Sequence, residues 1–215
     1  FHRRLKWFVR YKQKNDQYRV IEDIGKKGKI LLSLAPHKRL KKILCALLDE
    51  KEFLSCGGIR SLSKIHEEPY KINIDGKEFG LNYQPGDSNS SLFGGNSNWR
   101  GPVWMPMNYL MIVALEKYYQ YFEEELQVEF PSHSGNLASL KTVASELRKR
   151  LTGIFTKDPE GKRKVNGQMD LFNHDEHFKD LVLFYECFHG DTGKGIGASH
   201  QTGWTGVIAE VIRKG

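Results

Sequence analysis

The most restrictive feature of this sequence is a segment with helical character that begins near Pro102 and continues to about Phe122. Proline fits the first turn of a helix, because an N–H group there would have no partner inside the helix. Up to Leu115 the segment is apolar on almost every side, so we expect other elements to bury its first half. A chain that contains such a helix has to fold as a larger helical assembly.

Other segments show the three- and four-residue spacing of amphipathic helices. We expect helices within residues 36–52, 136–155 and 177–188, and a last helix that starts near Thr202. The sequence shows no strand–helix alternation, heptad run or close internal repeat. It therefore predicts a mainly α fold, which is built from antiparallel helix pairs joined by unequal loops.

Composition excludes several classes of protein. Of the 215 residues 39% are hydrophobic and 27% charged, which fits a folded core and not a disordered or collagen-like chain. The three cysteines show no Cys-x-x-Cys spacing, so we expect no disulfide framework and no cysteine zinc site. His174 and His177 lie three residues apart and not in a His-Glu-x-x-His motif, and we expect no metal site and no cofactor. The longest apolar run, residues 110–115, is far shorter than the roughly 20 residues that cross a membrane, so we expect no membrane span.

The positive charge is concentrated in the first part of the chain. Residues 1–64 contain 17 Lys and Arg against 6 Asp and Glu, whereas the rest contains 16 against 20. The basic residues between Lys38 and Lys42 fall in a Leu/Ile helical pattern, which is typical of a solvated helix face. We therefore interpret residues 1–52 as a basic helical segment and expect no nucleic acid partner.

Residues 53–100 have a different character, because glycine, proline and Asp-Gly pairs interrupt short segments. The stretch from Lys71 to Gly80 predicts a small hairpin on its Asp-Gly turn. Long ordered loops inside compact domains often carry binding groups. We therefore expect residues 53–100 to form an elaborated loop that contacts a substrate.

Glu186 is the only charged residue in the apolar and aromatic octapeptide 181–188. A buried carboxylate costs several kcal/mol unless it is paired, hydrogen-bonded or protonated. It is either half of an ion pair with an Arg or His of a neighbouring helix, or a reacting group. A glycine-rich turn follows and ends in His200, and such a turn brings backbone close to a ligand.

Indole, guanidinium and amide side chains are concentrated in residues 93–108. Trp99 and Trp104 offer aromatic faces for the C–H face of a pyranose, while Arg100, Asn98 and Asn108 offer hydrogen bonds to vicinal hydroxyls. Either Trp taken alone fits the protein core equally well. The combination favours a carbohydrate-binding site.

Three widely separated blocks resemble the C-terminal part of glycoside hydrolase family 63 and related glucosidases. They are GGNSNWRGPVWMPMNY at residues 94–109, parts of residues 53–64, and residues 185–206 around Glu186. The resemblance implies an (α/α)6 barrel of the six-hairpin glycosidase type, of which this chain holds the C-terminal portion. Residues 1–52 would be part of the barrel, and residues 53–215 would be the end of the catalytic domain with its substrate-binding loop at 53–100.

The family resemblance also implies an activity, namely inverting hydrolysis of α-glucosidic or related α-glycosidic bonds in oligosaccharides or small glycosides. Glu186 matches the general base, and Arg100 and His200 are candidates for a cation that keeps it ionised. Four further residues match the wall of the subsite for the cleaved sugar, and two match a closing loop. The wall residues are Trp99, Arg100, Gly101 and Trp104, and the loop residues are His200 and Trp204.

The general acid of that family is an Asp in an upstream block that has no counterpart in this chain. Since the chain begins with Phe1 and shows no signal peptide, we expect it to be a fragment. Because inverting hydrolysis needs two carboxyl groups, we expect this fragment to have little activity of its own. We expect a cytoplasmic protein, with the endoplasmic reticulum as the alternative, because relatives occur in both. A non-catalytic carbohydrate-binding domain and a helical scaffold domain are the competing interpretations.

Overall fold

The computed structural model describes residues 21–24, 30–33, 35, 37–87 and 99–214. Within these residues the chain forms six α-helices, of which three are long and three are short. The long helices are α1 (His37–Leu47), α2 (Met105–Phe122) and α3 (Leu140–Thr152). The short helices are α4 (Asp170–His174), α5 (Thr202–Thr205) and α6 (Ile208–Arg213).

The strands of the described residues pair as antiparallel two-stranded ribbons. Each ribbon joins two strands that are consecutive in the chain, and in the described part of the chain the ribbons do not combine into a larger sheet. The pairs are β1 (Ile21–Ile24) with β2 (Ile30–Leu32), β3 (Leu54–Ser55) with β4 (Gly58–Ile59), β5 (Tyr70–Ile74) with β6 (Lys77–Leu81), β7 (Gln127–Glu129) with β8 (Leu137–Ser139), and β9 (Cys187–Phe188) with β10 (Gly195–Ile196).

The expected helices at 36–52, 102–122 and 136–155 are present as α1, α2 and α3, with shorter bounds. Helix α3 starts later because β8 occupies residues 137–139, and Ser139 then caps the helix by accepting a hydrogen bond from the N–H of Thr142. The last helix begins at Thr202, as expected, but is divided into α5 and α6. The helical content agrees with the mainly α prediction.

The helix predicted at residues 177–188 is wrong. Phe184 forms an isolated bridge with His200, and Cys187 and Phe188 form β9. A short apolar and aromatic run suits an extended strand as well as a helix, so its periodicity alone could not separate the two. The glycine-rich turn that follows decides the outcome, since it folds the chain back so that β10 pairs with β9.

The hairpin predicted on the Asp-Gly turn is confirmed as β5 and β6. Asp75 and Gly76 have φ angles of 51° and 78°, which is the backbone that a two-residue hairpin turn of type I′ requires. Ile72 lies opposite Phe79 in the pairing, and both side chains are exposed. The hairpin therefore projects from the described part of the molecule.

The main core lies between α2 and α3. Ile112 of α2 and Leu147 of α3 are fully buried, and Phe188 of β9 joins the same cluster. Against expectation, the first half of α2 is not buried on all sides: Met107 and Leu110 are 39% and 58% exposed. Across the described residues, every helix falls short of the length and apolar character that a membrane crossing needs.

Candidate active site

Three indole rings lie together where the chain enters α2. Trp99 and Trp104 stack in parallel, with 4.1 Å between ring centroids and 2° between ring planes. Trp204 of α5 meets Trp104 edge-on at 5.9 Å between centroids, which is a favourable aromatic geometry. Trp104 is buried, whereas 40% of Trp99 and 37% of Trp204 are exposed. The indole cluster, Trp99, Trp104 and Trp204, thus combines one buried ring with two partly open ones.

Glu186 lies directly before β9 and is half-buried. Its N–H donates to the carbonyl of Ala198 at 2.8 Å, and the N–H of Ala198 donates to its carboxylate Oε2 at 3.5 Å. Within the described part of the chain the carboxylate forms no ion pair. Among these residues neither Arg100 nor His200 pairs with it, so the described structure does not support the interpretation of Glu186 as half of an interhelical ion pair.

Glu186 and the indole cluster are connected through their chain neighbours. Val103 and Phe188 exchange two backbone hydrogen bonds, of 2.8 and 2.9 Å. Next to this pair, the side chains of Trp104 and Cys187 pack in one buried cluster. The segment that carries Glu186 is therefore fixed against the segment that carries Trp104, although the two are far apart in the sequence.

Arg100 and Gly101 shape the loop that leads to this junction. Arg100 is 4% exposed, and its Nη1 donates to Oδ1 of Asn82 at 2.8 Å. Gly101 donates its N–H to Ser61 Oγ at 3.0 Å. At its φ of +155° a Cβ would lie 2.7 Å from the carbonyl oxygen of Gln84, so the position requires glycine. Both predicted residues thus hold the chain close to the indole cluster.

The amide of Asn108 is occupied by backbone groups. Its Oδ1 accepts from the N–H of Ile59 at 2.7 Å, and its Nδ2 donates to the carbonyls of Ile59 and Trp104 at 3.0 Å each. Asn108 is 1% exposed. It therefore fixes β4 to the start of α2 and determines where Trp104 lies.

The two remaining predicted residues are His200 and Asn98. His200 is exposed, and its Nδ1 lies 2.8 Å from the hydroxyl of Ser199. Its backbone forms the bridge to Phe184, two residues before Glu186, and it lies two residues after Ala198, which is hydrogen-bonded to Glu186. Asn98 lies outside the described residues.

A cavity of about 220 Å³ opens beside the indole cluster. Trp99, Trp104 and Asn108 line it, and apolar side chains such as Leu47 form much of the remaining wall. Glu186 is not among its lining residues. The structure thus brings three predicted sugar-binding residues, Trp99, Trp104 and Asn108, to this cavity, whereas the predicted base directly precedes Cys187, which packs against Trp104.

A partly buried polar cluster around Asp191 was missed by sequence reasoning. Asp191 lies in the turn between β9 and β10, and its Oδ1 accepts hydrogen bonds from Arg60 Nη2 at 3.0 Å and from the Tyr83 hydroxyl at 3.1 Å. Lys64 Nζ is 3.5 Å from the same oxygen. In the sequence, Asp191 was marked only by its place in the glycine-rich turn. Its partners come from distant segments, so the sequence near Asp191 gives no sign of them.

Burial keeps two protic side chains near the site neutral. It raises the pKa of the Cys187 thiol, and the negative charges of Glu186 and Asp87 act in the same direction. Burial also raises the pKa of the Tyr83 hydroxyl, with the charge of Arg60 opposing it. The described residues contain no group of three or more His, Cys, Asp or Glu that could hold a metal ion.

Comparison with known proteins identifies the family to which this chain belongs. Residues 1–205 match the model of the mannosylglycerate hydrolase MGH1-like glycoside hydrolase domain. The chain therefore belongs to the MGH1-like glycoside hydrolase domain family. The resemblance to glycoside hydrolase family 63 that the motifs indicated is confirmed.

Relatives with similar sequences occur in two yeasts. An uncharacterized protein of Saccharomyces cerevisiae is 46% identical over 218 residues, which cover 99% of this chain and 20% of that protein. A probable mannosyl-oligosaccharide glucosidase of Schizosaccharomyces pombe is 27% identical, over 85% of this chain and 16% of that protein. The mannosyl-oligosaccharide glucosidase of S. cerevisiae is 25% identical, over 81% and 15%. The chain spans a fifth or less of the length of these relatives.

We expect His189 to make folding stability dependent on pH. Burial lowers the pKa of its imidazole below the ordinary 6.5, and the charge of Lys194 acts in the same direction against those of Asp191 and Asp87. Between the lowered pKa and 6.5 the unfolded chain binds more protons than the folded chain, so the free energy of unfolding should fall as the pH decreases through this window. Urea denaturation at a series of pH values measures it.

His189→Gln should flatten this acid-side decrease, because glutamine does not titrate. His177→Gln, at an exposed position, is the matched control and should keep the decrease. Equal pH profiles of wild type and His189→Gln would contradict the assignment.

Proposed function

We propose that this chain carries the general base and part of the sugar-binding wall of an inverting glycoside hydrolase. The bond cleaved would be an α-glucosidic or related α-glycosidic bond in an oligosaccharide or small glycoside. The observation that carries the proposal is the packing of Trp104 against Cys187, which holds the Glu186 segment beside the indole cluster. Family membership and the two relatives described as glucosidases support the same activity.

Glu186 has the properties of a base for water. Its Oε2 accepts a hydrogen bond from the backbone N–H of Ala198, and among the described residues no cation pairs with it. Among the described residues Oε1 accepts no hydrogen bond, which leaves it available for a water molecule. Gly197 lies against the carboxylate, since a Cβ there would be 2.8 Å from Oε2. In the reaction this carboxylate takes a proton from the water that attacks the anomeric carbon.

The indole cluster supplies the apolar contact with the sugar. The exposed part of Trp99 can pack on the C–H face of a pyranose, and the partly exposed Trp204 offers a second indole surface next to Trp104. His200 is exposed in the loop that follows β10. The other predicted residues act indirectly in this proposal: Asn108 and Gly101 hold the backbone that carries the indoles. Arg100 is bonded to Asn82, so its role is also to shape the wall.

The second carboxyl group of the reaction is not assigned in this chain. Inverting hydrolysis needs a general acid roughly 6.5 to 9.5 Å from the base, so that water fits between the base and the sugar. We therefore propose that hydrolysis occurs in a polypeptide that includes this chain and supplies the acid, here called the complete enzyme. In it, residues 1–52 and 53–215 would form the end of an (α/α)6 barrel; the cytoplasmic location, with the endoplasmic reticulum as alternative, stays a prediction.

A second function has one observation in its favour. The cavity beside Trp99 and Trp104 does not include Glu186 in its lining, so a sugar could bind there without reaching the carboxylate. The chain would then be a carbohydrate-binding domain without catalysis. The two functions differ in whether Glu186 is needed for turnover.

Replacing Trp99 with alanine should weaken binding of methyl α-glucoside to this chain about two- to tenfold, the effect of losing one aromatic contact. Isothermal titration calorimetry measures the affinity. Phe79→Ala is the matched control, because Phe79 is an exposed aromatic side chain on the β5–β6 hairpin, outside the indole cluster. An affinity that Trp99→Ala leaves unchanged would remove Trp99 from the sugar site.

Replacing Glu186 with glutamine in the complete enzyme should reduce kcat for an α-glucoside by about 100-fold or more, because the amide cannot accept the proton of the attacking water. Glutamine retains the acceptor for the Ala198 N–H, so the loop should stay in place. Glu78→Gln, in an exposed ion pair with Lys71, is the control and should keep full activity. Turnover above a few per cent in Glu186→Gln would exclude the base assignment and favour the binding domain.

A further inference from the structure

The carboxylate of Asp191 connects three segments that are far apart in the sequence. It accepts hydrogen bonds from Arg60, which follows β4, and from Tyr83, which follows β6, while Lys64 adds an ion pair. Asp191 itself lies in the turn between β9 and β10. Its carbonyl also accepts from the thiol of Cys56 at 3.2 Å, in the turn between β3 and β4. This set of contacts is called the Asp191 junction below.

The partners of Asp191 are themselves fixed. Arg60 is 6% exposed, and its Nη1 donates to the backbone carbonyls of Glu50, Glu52 and Leu54. Tyr83 is 5% exposed. Asp191 is thus held by two buried side chains, of which Arg60 is fixed by further hydrogen bonds to the backbone.

The turn transmits this position to Glu186. The N–H of Asp191 donates to Nδ1 of His189 at 3.2 Å, and the N–H of His189 donates to the carbonyl of Lys194 at 2.7 Å. Strand β10 then pairs with β9, and two residues after it Ala198 exchanges hydrogen bonds with Glu186. The path from Asp191 to the proposed base therefore runs through one short hairpin.

The charges at the junction favour the ionised form of Asp191. Burial acts to raise the pKa of its carboxyl, but the hydrogen bonds from Arg60 and Tyr83 and the charges of Arg60 and Lys64 outweigh it and lower that pKa. A neutral amide at this position would keep the shape and lose the charge-assisted bonds. The buried guanidinium of Arg60 would then lack its carboxylate.

We propose that Asp191 is a positioning residue of the hydrolase: through Arg60 and Tyr83 it fixes the β9–β10 hairpin, and the hairpin fixes the carboxylate of Glu186 relative to the indole cluster. This inference rests on the proposed function. It assigns to Asp191 no contact with the substrate. Loss of the junction should therefore affect turnover more than substrate binding, because a small displacement of a base reduces the rate while the indole surface is unchanged.

The test compares Asp191→Asn and Tyr83→Phe with wild type in the complete enzyme. Asp191→Asn should reduce kcat about 10- to 100-fold with KM within about threefold, and Tyr83→Phe should give a smaller reduction of the same kind. Asp180→Asn is the control, since Asp180 forms an exposed ion pair with Lys157 and should leave both constants unchanged. If Asp191→Asn raises KM by as large a factor as it lowers kcat, or leaves both constants unchanged, the proposal is overturned.

Amide hydrogen exchange separates this inference from the proposed function. In Asp191→Asn the amides of Glu186 and Ala198 should exchange at least about tenfold faster, while core amides such as that of Leu147 keep their protection. If the wild-type complete enzyme does not hydrolyse α-glucosides, the proposed function fails, and exchange still shows whether Asp191 fixes the hairpin. If exchange in Asp191→Asn is faster by the same factor throughout the chain, Asp191 stabilises the whole fold and does not specifically position Glu186, and the proposal is overturned.

Discussion

The two backbone hydrogen bonds between Val103 and Phe188 bring the parts of this molecule together. They connect the entrance of α2 with β9, and the buried contact between Trp104 and Cys187 lies directly beside them. Val103 also bridges to Arg60, so a third segment meets at the same point. A carboxylate, a group of indoles and a buried guanidinium are thus held around one fully buried valine. Membership of a glycoside hydrolase family supports the interpretation of this arrangement as part of an active site, because glycosidases combine carboxylates with surfaces that bind sugars.

The parts of the fold that depend on local sequence could be predicted. Pro102 indicated the start of α2, and the Asp75–Gly76 pair determined the β5–β6 hairpin, because each residue type restricts its own backbone. Residues 177–188 could not be assigned in this way. Their conformation depends on pairing with Val103, β10 and His200, and such non-local contacts leave no periodic signal in the sequence.

The candidate site shows the same division. Glu186, Trp99 and Trp104 were recognisable because a lone carboxylate or a pair of indoles stands out among its neighbours in the sequence. Asp191 did not stand out, since its partners Arg60 and Tyr83 lie more than a hundred residues away. The sequence also suggested direct sugar contacts for Asn108 and Arg100, whereas their side chains bond to groups of the protein itself. Hydrogen-bonding side chains next to a site thus divide into those that face the ligand and those that hold the site in shape.

The central claim is that Glu186 and the indole cluster act on the same sugar. A crystal structure of the complete enzyme with Glu186→Gln and a bound α-glucoside tests it most directly. The account predicts a sugar ring in contact with Trp99 and a water molecule that is hydrogen-bonded to the side chain at position 186 and lies about 3 to 3.5 Å from the anomeric carbon. A sugar bound in the cavity beside Leu47, with no path from its anomeric carbon to residue 186, would contradict it.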